Sequence, residues 1–322
     1  MKRKIQSLLH IAASAAAVIM LATATRAAAQ TPSDWERLKG DVTMYMANDL
    51  GRNGYYDQKP IAELMGRMGE TLSPKCVIAA GDVHHFNGIR STDDPLWTTN
   101  YENIYSHPEL MIDWFPILGN HEYRGNTQAV LDYANVSRRW MMPARYYSKV
   151  IKGKGTTVRV VFVDTTPLIE RYRDTPETYP DACRQDTVAQ LHWLDATLRE
   201  AKEDWVIVVG HHPMYAQTKK NLVEQTDLQR NLLPLLHRYG NVSIYASGHI
   251  HNFQHIRREG DPIDYVVNSA GALSREALPT EGTVFCSGKD GFSVIAATKK
   301  QLSLYMIDNE GRVIHTVTKT RK

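Results

Sequence analysis

The amino-acid sequence predicts an α/β fold, on three observations. Short β-rich apolar runs alternate with stretches of helical periodicity. Blocks of Gly, Asn, Asp and His follow several of those runs, where the carboxyl ends of strands open a ligand crevice in folds of this class. The chain has 322 residues, 43% hydrophobic and 23% charged, an ordinary globular composition with enough length for a large core. Disorder and collagen-like repeats are excluded.

The first thirty residues read as an address. Met1-Lys2-Arg3-Lys4 is a basic head, Ile11 to Ala22 an apolar run of about a dozen residues, and Ala27-Ala28-Ala29 a small-x-small cleavage pattern. A spanning helix needs about 20 apolar residues, and Ser14, Thr23, Thr25 and Arg26 make this run too short. Residues 1–29 are therefore expected to be a cleaved secretory signal and residues 30–322 a single domain, secreted or periplasmic, with no membrane contact after cleavage. The formal charge of +3 and pI near 8.6 suggest a nucleic-acid partner. Four of the 38 bases, Lys2, Arg3, Lys4 and Arg26, leave with the signal, so 34 bases face 35 acids and that suggestion loses its support. Export implies an oxidising compartment, in which Cys76, Cys183 and Cys286 form at most one internal disulfide. Cys76 opens an apolar run and reads as a buried thiol, which points to Cys183 with Cys286.

In the mature chain the strands expected are Val42–Ala47, Val77–Ala80, Phe115–Leu118, Val158–Val163, Val206–Val209, Val242–Ala246 and Tyr265–Val267. Helices fall between them. Pro60 suits the first turn of Ile61–Thr71, Asp186 caps a stretch in which Leu191, Leu194, Leu198 and Ala201 recur at helical spacing, and Asp227–Tyr239 is a third despite Pro234. After Phe285 only strands are expected, Phe292–Ala297, Leu302–Ile307 and Val313–Val317, with Asp308-Asn309-Glu310-Gly311 as a hairpin turn.

The chemistry collects where these strands stop. Asn48-Asp49-Leu50-Gly51, Gly81-Asp82-Val83-His84-His85, Gly119-Asn120-His121-Glu122, Gly210-His211-His212-Pro213 and Gly248-His249-Ile250-His251 each follow an apolar run. Seven of the 12 histidines that remain after the signal lie in these blocks. His107, His192, His237, His255 and Asp164 read as ordinary caps or satisfied polar residues. Carboxylate, amide oxygen and imidazole together suit zinc, manganese or iron rather than calcium. So many donors fit two ions about 3.5–4 Å apart sharing a carboxylate, an arrangement that clamps both oxygens in phosphoryl transfer.

In this order the blocks resemble the calcineurin-like metallophosphoesterases, and within them the small purple acid phosphatases of the tartrate-resistant type. The family order D-x-G, G-D-x-x-Y, G-N-H-D/E, G-H and G-H-x-H is met by Asp49-x-Gly51, Gly81-Asp82, Gly119-Asn120-His121-Glu122, Gly210-His211 and Gly248-His249-x-His251. Ser137 to Trp140, Val163 to Thr165 and Gln190 to Leu194 resemble connecting segments, so the likeness runs from about Val42 to Val317. It implies a four-layer αββα sandwich of two mixed β-sheets flanked by helices. It also implies that Asp82 bridges two metal ions, that Asp49 and His251 hold the first, and that Asn120, His211 and His249 hold the second. His121 then positions the phosphate or protonates the leaving group, which an imidazole titrating near neutrality can do.

The chain departs from the family at one ligand. The family's metal-binding Tyr falls on His85, and the His that other metallophosphoesterases carry two residues after the first Asp is Gly51. His85 is expected to supply the missing first-metal ligand, and a neutral imidazole in place of a phenolate favours a divalent ion over Fe³⁺. His212 is expected to contact substrate at the site mouth; His84 is a weaker candidate, and Glu122 orients His121 or caps a turn. The implied activity is hydrolysis of small phosphate monoesters by a monomer carrying iron, zinc or manganese, through in-line attack of a metal-bound hydroxide. A phosphodiesterase or nucleotide hydrolase on the same scaffold is the near alternative, with Asn87–Tyr105 and Leu168–Arg184 as specificity loops. A non-catalytic phosphate- or glycan-associated binding protein is the distant one.

Overall fold

The computed structural model describes residues 31–217, 223–268 and 271–321. The expected signal, residues 1–29, lies outside the described residues. No helix among the described residues is long and apolar enough to cross a membrane.

Among the described residues thirteen strands form in chain order: β1 (Val42–Ala47), β2 (Cys76–Ala79), β3 (Asp113–Pro116), β4 (Tyr147–Lys152), β5 (Thr157–Val163), β6 (Trp205–Gly210), β7 (Val242–Ser247), β8 (Phe253–Arg257), β9 (Asp264–Asn268), β10 (Thr283–Ser287), β11 (Gly291–Ala297), β12 (Gln301–Asp308) and β13 (Val313–Thr320). They divide into a six-stranded sheet ordered β13-β12-β11-β1-β2-β3 and a seven-stranded sheet ordered β10-β8-β9-β7-β6-β5-β4. Both sheets are mixed. In the first, β1, β2 and β3 run parallel and β11 to β13 antiparallel. In the second, β5, β6, β7 and β9 run parallel, with antiparallel partners outside them.

The reason lies in the side chains. β1 and β6 are buried at all six positions, the continuous apolar reading of a strand covered on both faces. One hydrophobic cluster takes residues from both sheets, and Phe115 of β3 meets Phe162 of β5 with ring centroids 6.1 Å apart. The helices α1 (Pro32–Trp35), α2 (Gln58–Leu72), α3 (Thr127–Asp132), α4 (Glu170–Arg173), α5 (Thr187–Glu200), α6 (Val223–Asn231) and α7 (Leu233–Arg238) flank the sheets. This is the expected sandwich of two mixed sheets.

Several local expectations are met by their own chemistry. The Asp186 carboxylate accepts from the Ala189 amide at 2.9 Å and caps α5. The β12–β13 turn closes with Gly311 N–H donating to the Asp308 carbonyl at 2.9 Å, Gly311 taking φ +81°. Others are corrected. Asp227–Tyr239 is two helices, broken at Leu232, because Pro234 belongs in a first turn and starts α7 there. Three strands escaped the sequence pattern: β4 and β10 are partly exposed edge strands, and β8 follows the fifth polar block without any apolar run of its own. The third expected strand lies two residues earlier, at Asp113–Pro116.

The disulfide expectation is also overturned, since all three cysteines are free. Cys183 is exposed on the 182–184 turn and Cys286 sits on edge strand β10, while burial pushes the Cys76 thiol up to about 12.

Candidate metal centre

The five polar blocks leave the carboxyl ends of β1, β2, β3, β6 and β7, so the two sheets deliver them to one place. The blocks are stitched together through backbone. Asp49 and Leu50 N–H donate to the Gly81 and Asp82 carbonyls at 3.0 Å each, joining the first two blocks. Gly248 N–H donates to the His211 carbonyl at 2.8 Å, joining the last two. His249 N–H donates to Asp49 Oδ2 at 2.8 Å and so ties one sheet to the other. Asp49, Asp82, His249 and His251 all take positive φ, between 52° and 75°. Non-glycine residues hold that conformation at a cost of roughly 1–3 kcal/mol each, and such strain clusters at functional sites.

Asp82 is the centre of the arrangement. Its Oδ1 accepts from the His121 amide at 2.9 Å, and its Oδ2 faces His211 Nε2 at 3.2 Å, His85 Nε2 at 3.5 Å and His121 Nε2 at 3.8 Å. Burial alone would raise this carboxyl, but His211 and His121 outweigh it and hold it well below the usual range. Against the lowering effect of burial, Asp82 in turn raises His211 to about 9. Burial keeps His85, His121 and His251 below the ordinary histidine value, so their lone pairs stay available at neutral pH.

Four triads of potential donors gather here among the described residues. Ligand atoms of Asp49, His85 and His251 lie within 4.8 Å of one another, as do those of Asp82, His85 and His121, of Asp49, Asp82 and His211, and of His211, His212 and His249. His251 Nε2 approaches Asp49 Oδ1 at 3.2 Å, and its other nitrogen is held by the Leu273 carbonyl at 2.8 Å. His211 Nδ1 likewise donates to the Ala80 carbonyl at 2.9 Å, which fixes the ring and aims Nε2 at Asp82. His249 donates from Nε2 to Glu224 Oε2 at 3.0 Å.

The donor set fits metal ions. Asp49 Oδ1, Asn120 Oδ1, His211 Nε2 and both ring nitrogens of His85 are buried without a hydrogen bond. Orphaned buried acceptors cost about 1–3 kcal/mol apiece and are rare unless something else satisfies them. Here they converge.

The structure brings Asp49, Asp82, His85, Asn120, His121, His211, His249 and His251 to this one end of the sandwich. His85 lies beside Asp49, Asp82 and His251. A Cβ at Gly51 would collide with the Val83 carbonyl, and the His85 amide is its next neighbour, so the 83–85 backbone fills the space a side chain at 51 would need. Gly119 likewise leaves room for the Asp82 carboxylate. His212 is corrected: it is fully buried, not at the mouth. The Thr165 hydroxyl holds its Nδ1 at 2.9 Å, and its Nε2 bonds Tyr172 OH at 3.1 Å, whose hydroxyl donates to Glu224 Oε1 at 2.9 Å. His212 thus backs His249 through Tyr172 and Glu224. His84 is equally buried, edge-on to Trp97, with its imidazole pushed down to about 3 by burial. Glu122 neither touches the His121 ring nor caps a single turn. Its carboxylate accepts from the amides of Asp82, His84 and Gly119 at 2.7–2.9 Å, clasping two blocks together. Burial and the Asp82 charge push it up to about 7, against the Gly119 and His84 amides.

A cavity of about 480 Å³ opens over the centre, reached by His85, Asn120, His121 and His249 and rimmed by Arg52, Arg124, Arg171 and Arg275. Sequence reading missed these arginines, together with Tyr172 and Glu224. Arg171, Tyr172 and Tyr179 of the wall belong to the Leu168–Arg184 segment expected to be a specificity loop. Glu224 sits on α6 with no motif round it, and only the fold shows that it supports His249.

Comparison with known proteins agrees with this geometry. The calcineurin-like phosphoesterase family pattern matches residues 43–253. Purple acid phosphatase 4 of Arabidopsis thaliana is 31% identical over 291 residues, covering 86% of this chain and 83% of that protein. Tartrate-resistant acid phosphatase type 5 of Mus musculus is 29% identical over 276 residues, covering 81% and 83%. Among solved structures, GAP50 of Plasmodium superposes with a TM-score of 0.75 at 22% identity over 87% of this chain and 89% of that one, a likeness of fold. With the family pattern spanning all five blocks and their convergence on Asp82, the chain belongs to the calcineurin-like phosphoesterases.

Proposed function

We propose that the chain hydrolyses phosphate monoesters with a dinuclear metal centre, as the names of its purple acid phosphatase relatives suggest. The observation that carries this reading is the set of orphaned buried donors round Asp82. Asp49, Asp82, His85 and His251 would hold the first ion, and Asp82, Asn120, His211 and His249 the second. Iron, zinc and manganese suit these donors, with a divalent ion favoured beside the neutral imidazole of His85. When bound, the two ions supply Lewis-acid charge to the phosphoryl oxygens and lower the pKa of water.

The chain's own residues supply the rest. His121 donates from Nδ1 to the Phe86 carbonyl at 2.6 Å, which fixes the ring; burial holds it below the ordinary histidine value, so Nε2 gives a proton to the departing alkoxide from the imidazolium form that acid pH populates. Glu224 orients His249, and the rim arginines attract the dianionic ester. In our reading residues 30–322 are one monomeric, exported domain behind a cleaved signal, acting on small phosphorylated molecules rather than nucleic acid.

The test is metal analysis with kinetics on a phosphomonoester and a bis-ester of one chromophore. His249→Ala should lose metal and turnover together, whereas His121→Ala should keep metal and lower kcat about 10²–10⁴-fold. Full activity in both variants, or faster turnover of the bis-ester, would overturn the reading. His85→Ala should lose first-site metal, and iron-loaded wild type should show no tyrosinate absorption band; either result reversed removes His85 from the ligand set.

A further inference from the structure

A second cavity of about 380 Å³ adjoins the first, walled by the 51–56 loop on one side and by His85 and Phe86 on the other. The two share Arg52, His85 and Phe86, so they meet at the edge of the metal centre. The outer cavity carries three exposed aromatic residues: Tyr55 is 72%, Tyr56 64% and Phe86 64% exposed. A single exposed ring needs no explanation, but three round one cavity form a patch of the kind that marks a binding site.

Arg52 stands where the two cavities join. It is only 6% exposed, its guanidinium lies 5.0 Å from the Phe86 ring centroid, and the one hydrogen bond its side chain makes among the described residues runs from Nη1 to the Gly51 carbonyl at 3.2 Å. Its Nε is buried without a partner, and the Asp49 and Asp82 carboxylates act on it through space without forming an ion pair with it among the described residues. A buried guanidinium with donors left open can be completed by an anion that enters the cavity.

The loop that presents the tyrosines is built rather than slack. The fully buried Gln58 accepts from the amides of Arg52 and Gly54 at 3.1 and 2.7 Å and donates to the Asn100 carbonyl at 2.9 Å, while Asn100 Oδ1 accepts from the Asn53 amide at 2.7 Å. Tyr56 is held at φ +55°, a conformation uncommon for a bulky residue. Rigid aromatic side chains bind with little loss of conformational entropy.

We infer that this outer cavity is a leaving-group subsite for a phosphate ester whose alcohol portion carries a planar ring, with Arg52 on the phosphate and Tyr55, Tyr56 and Phe86 against the ring. The inference rests on the phosphatase reading for its reacting phosphate. Aryl phosphates and nucleotides share the required chemistry.

The test compares wild type with the exposed-residue variant Tyr55→Ala/Tyr56→Ala on phenyl phosphate, a purine nucleoside 5′-monophosphate and glycerol 2-phosphate. Stacking is worth about 1–3 kcal/mol per base, so KM for the preferred ring ester should rise roughly 5- to 150-fold. kcat should hold, and KM for glycerol 2-phosphate should stay within about twofold. Taking each ester's variant-to-wild-type ratio cancels its intrinsic reactivity, and the ester that responds more identifies the source. Unchanged KM for both ring esters, or an equal rise for glycerol phosphate, overturns the subsite. Saturation-transfer NMR of the ring protons of both ring esters separates this failure from that of the phosphatase reading. Transfer to wild type and not to the variant supports the subsite even if no ester turns over, and absence of transfer in wild type overturns it.

Discussion

Among the described residues two buried histidine–carboxylate clusters stand out, and they differ in whether their polar atoms are satisfied. At the carboxyl ends of the parallel strands, Asp49 Oδ1, Asn120 Oδ1 and His211 Nε2 are buried without hydrogen bonds. Near the amino end of β9, Asp264 is fully engaged: its Oδ1 accepts from His255 Nε2 at 2.6 Å and Arg257 Nε at 2.5 Å, and its Oδ2 from Lys319 Nζ at 2.7 Å. His255 passes the chain on to His315 at 2.8 Å, and His315 stacks on Phe285. That second cluster clasps β8, β9 and β10 of one sheet to β13 of the other. Residue type alone does not distinguish a site from a clasp; unmet hydrogen-bonding capacity does.

The largest expected effect separates the two clusters by metal linkage. Adding metal should raise the melting temperature of wild type, because an ion that binds only the folded chain stabilises it by mass action. Asp82→Ala should abolish that increment and lower kcat/KM by about 10³-fold or more, since it removes the carboxylate proposed for both ions. Asp264→Ala should keep the increment. Thermal scans with and without chelator, read beside steady-state rates, measure both; a metal increment surviving in Asp82→Ala would erase the distinction.

Asp264→Ala should instead cost about 3 kcal/mol in chemical denaturation, equally with and without metal. Removing one member of a buried charged network costs about 3–5 kcal/mol, and the low end applies because the Arg257 side chain is 53% exposed and can turn to water. Specific activity of the folded fraction should not change. A loss of activity with stability intact would make this cluster functional rather than structural.

Glu224→Gln tests the support behind His249 and should have a smaller effect. The amide keeps the shape but loses the charge that holds His249 Nε2–H, and such outer partners typically change metal affinity about 10–100-fold. Competition with a chelator of known affinity reads the change. Equal affinity in both proteins would make the Tyr172–Glu224–His249 chain a packing feature only.

Much of this contrast was legible in sequence, and the gaps have physical causes. The five blocks could be read because short polar loops sit directly after apolar strands such as β1, β6 and β7, so pattern and chemistry coincide. His255 read as an ordinary satisfied histidine, which its Asp264 bond bears out. Glu224 was not legible, since it lies on a polar helix and meets His249 only through the tertiary fold. His212 misled because adjacency to His211 says nothing about direction: the Thr165 hydroxyl, which accepts from both backbone amides, turns the His212 ring inward towards Tyr172. β8 was missed because its apolar content, Phe253 and Ile256, is interrupted by Gln254 and His255 committed to polar contacts.

The smallest effect concerns the pH dependence of the clasp. Burial, with the neighbouring His255 and Arg257 charges, lowers His315 to about 4, below the ordinary 6.5. The folded ring therefore stays neutral between those values while the unfolded ring takes up a proton, so stability contributed by His315 is complete above about pH 6.5 and is lost as pH falls towards 4. His255, Arg257 and Lys319 hold the Asp264 carboxyl below its usual range despite burial, which adds a further loss only below about pH 4. Because His315 is half-buried, solvent screening reduces its share to about 1 kcal/mol, or roughly 2 °C in a chain of this size. His315→Gln keeps a polar partner, able to donate or accept, for His255 Nδ1 without a titrating ring. Its melting temperature should consequently fall less than that of wild type between pH 6.5 and 4, while the two curves run parallel above pH 7. Parallel curves across the whole range would show that the proton on His315 does not govern the clasp, and that its satisfied geometry is insensitive to charge.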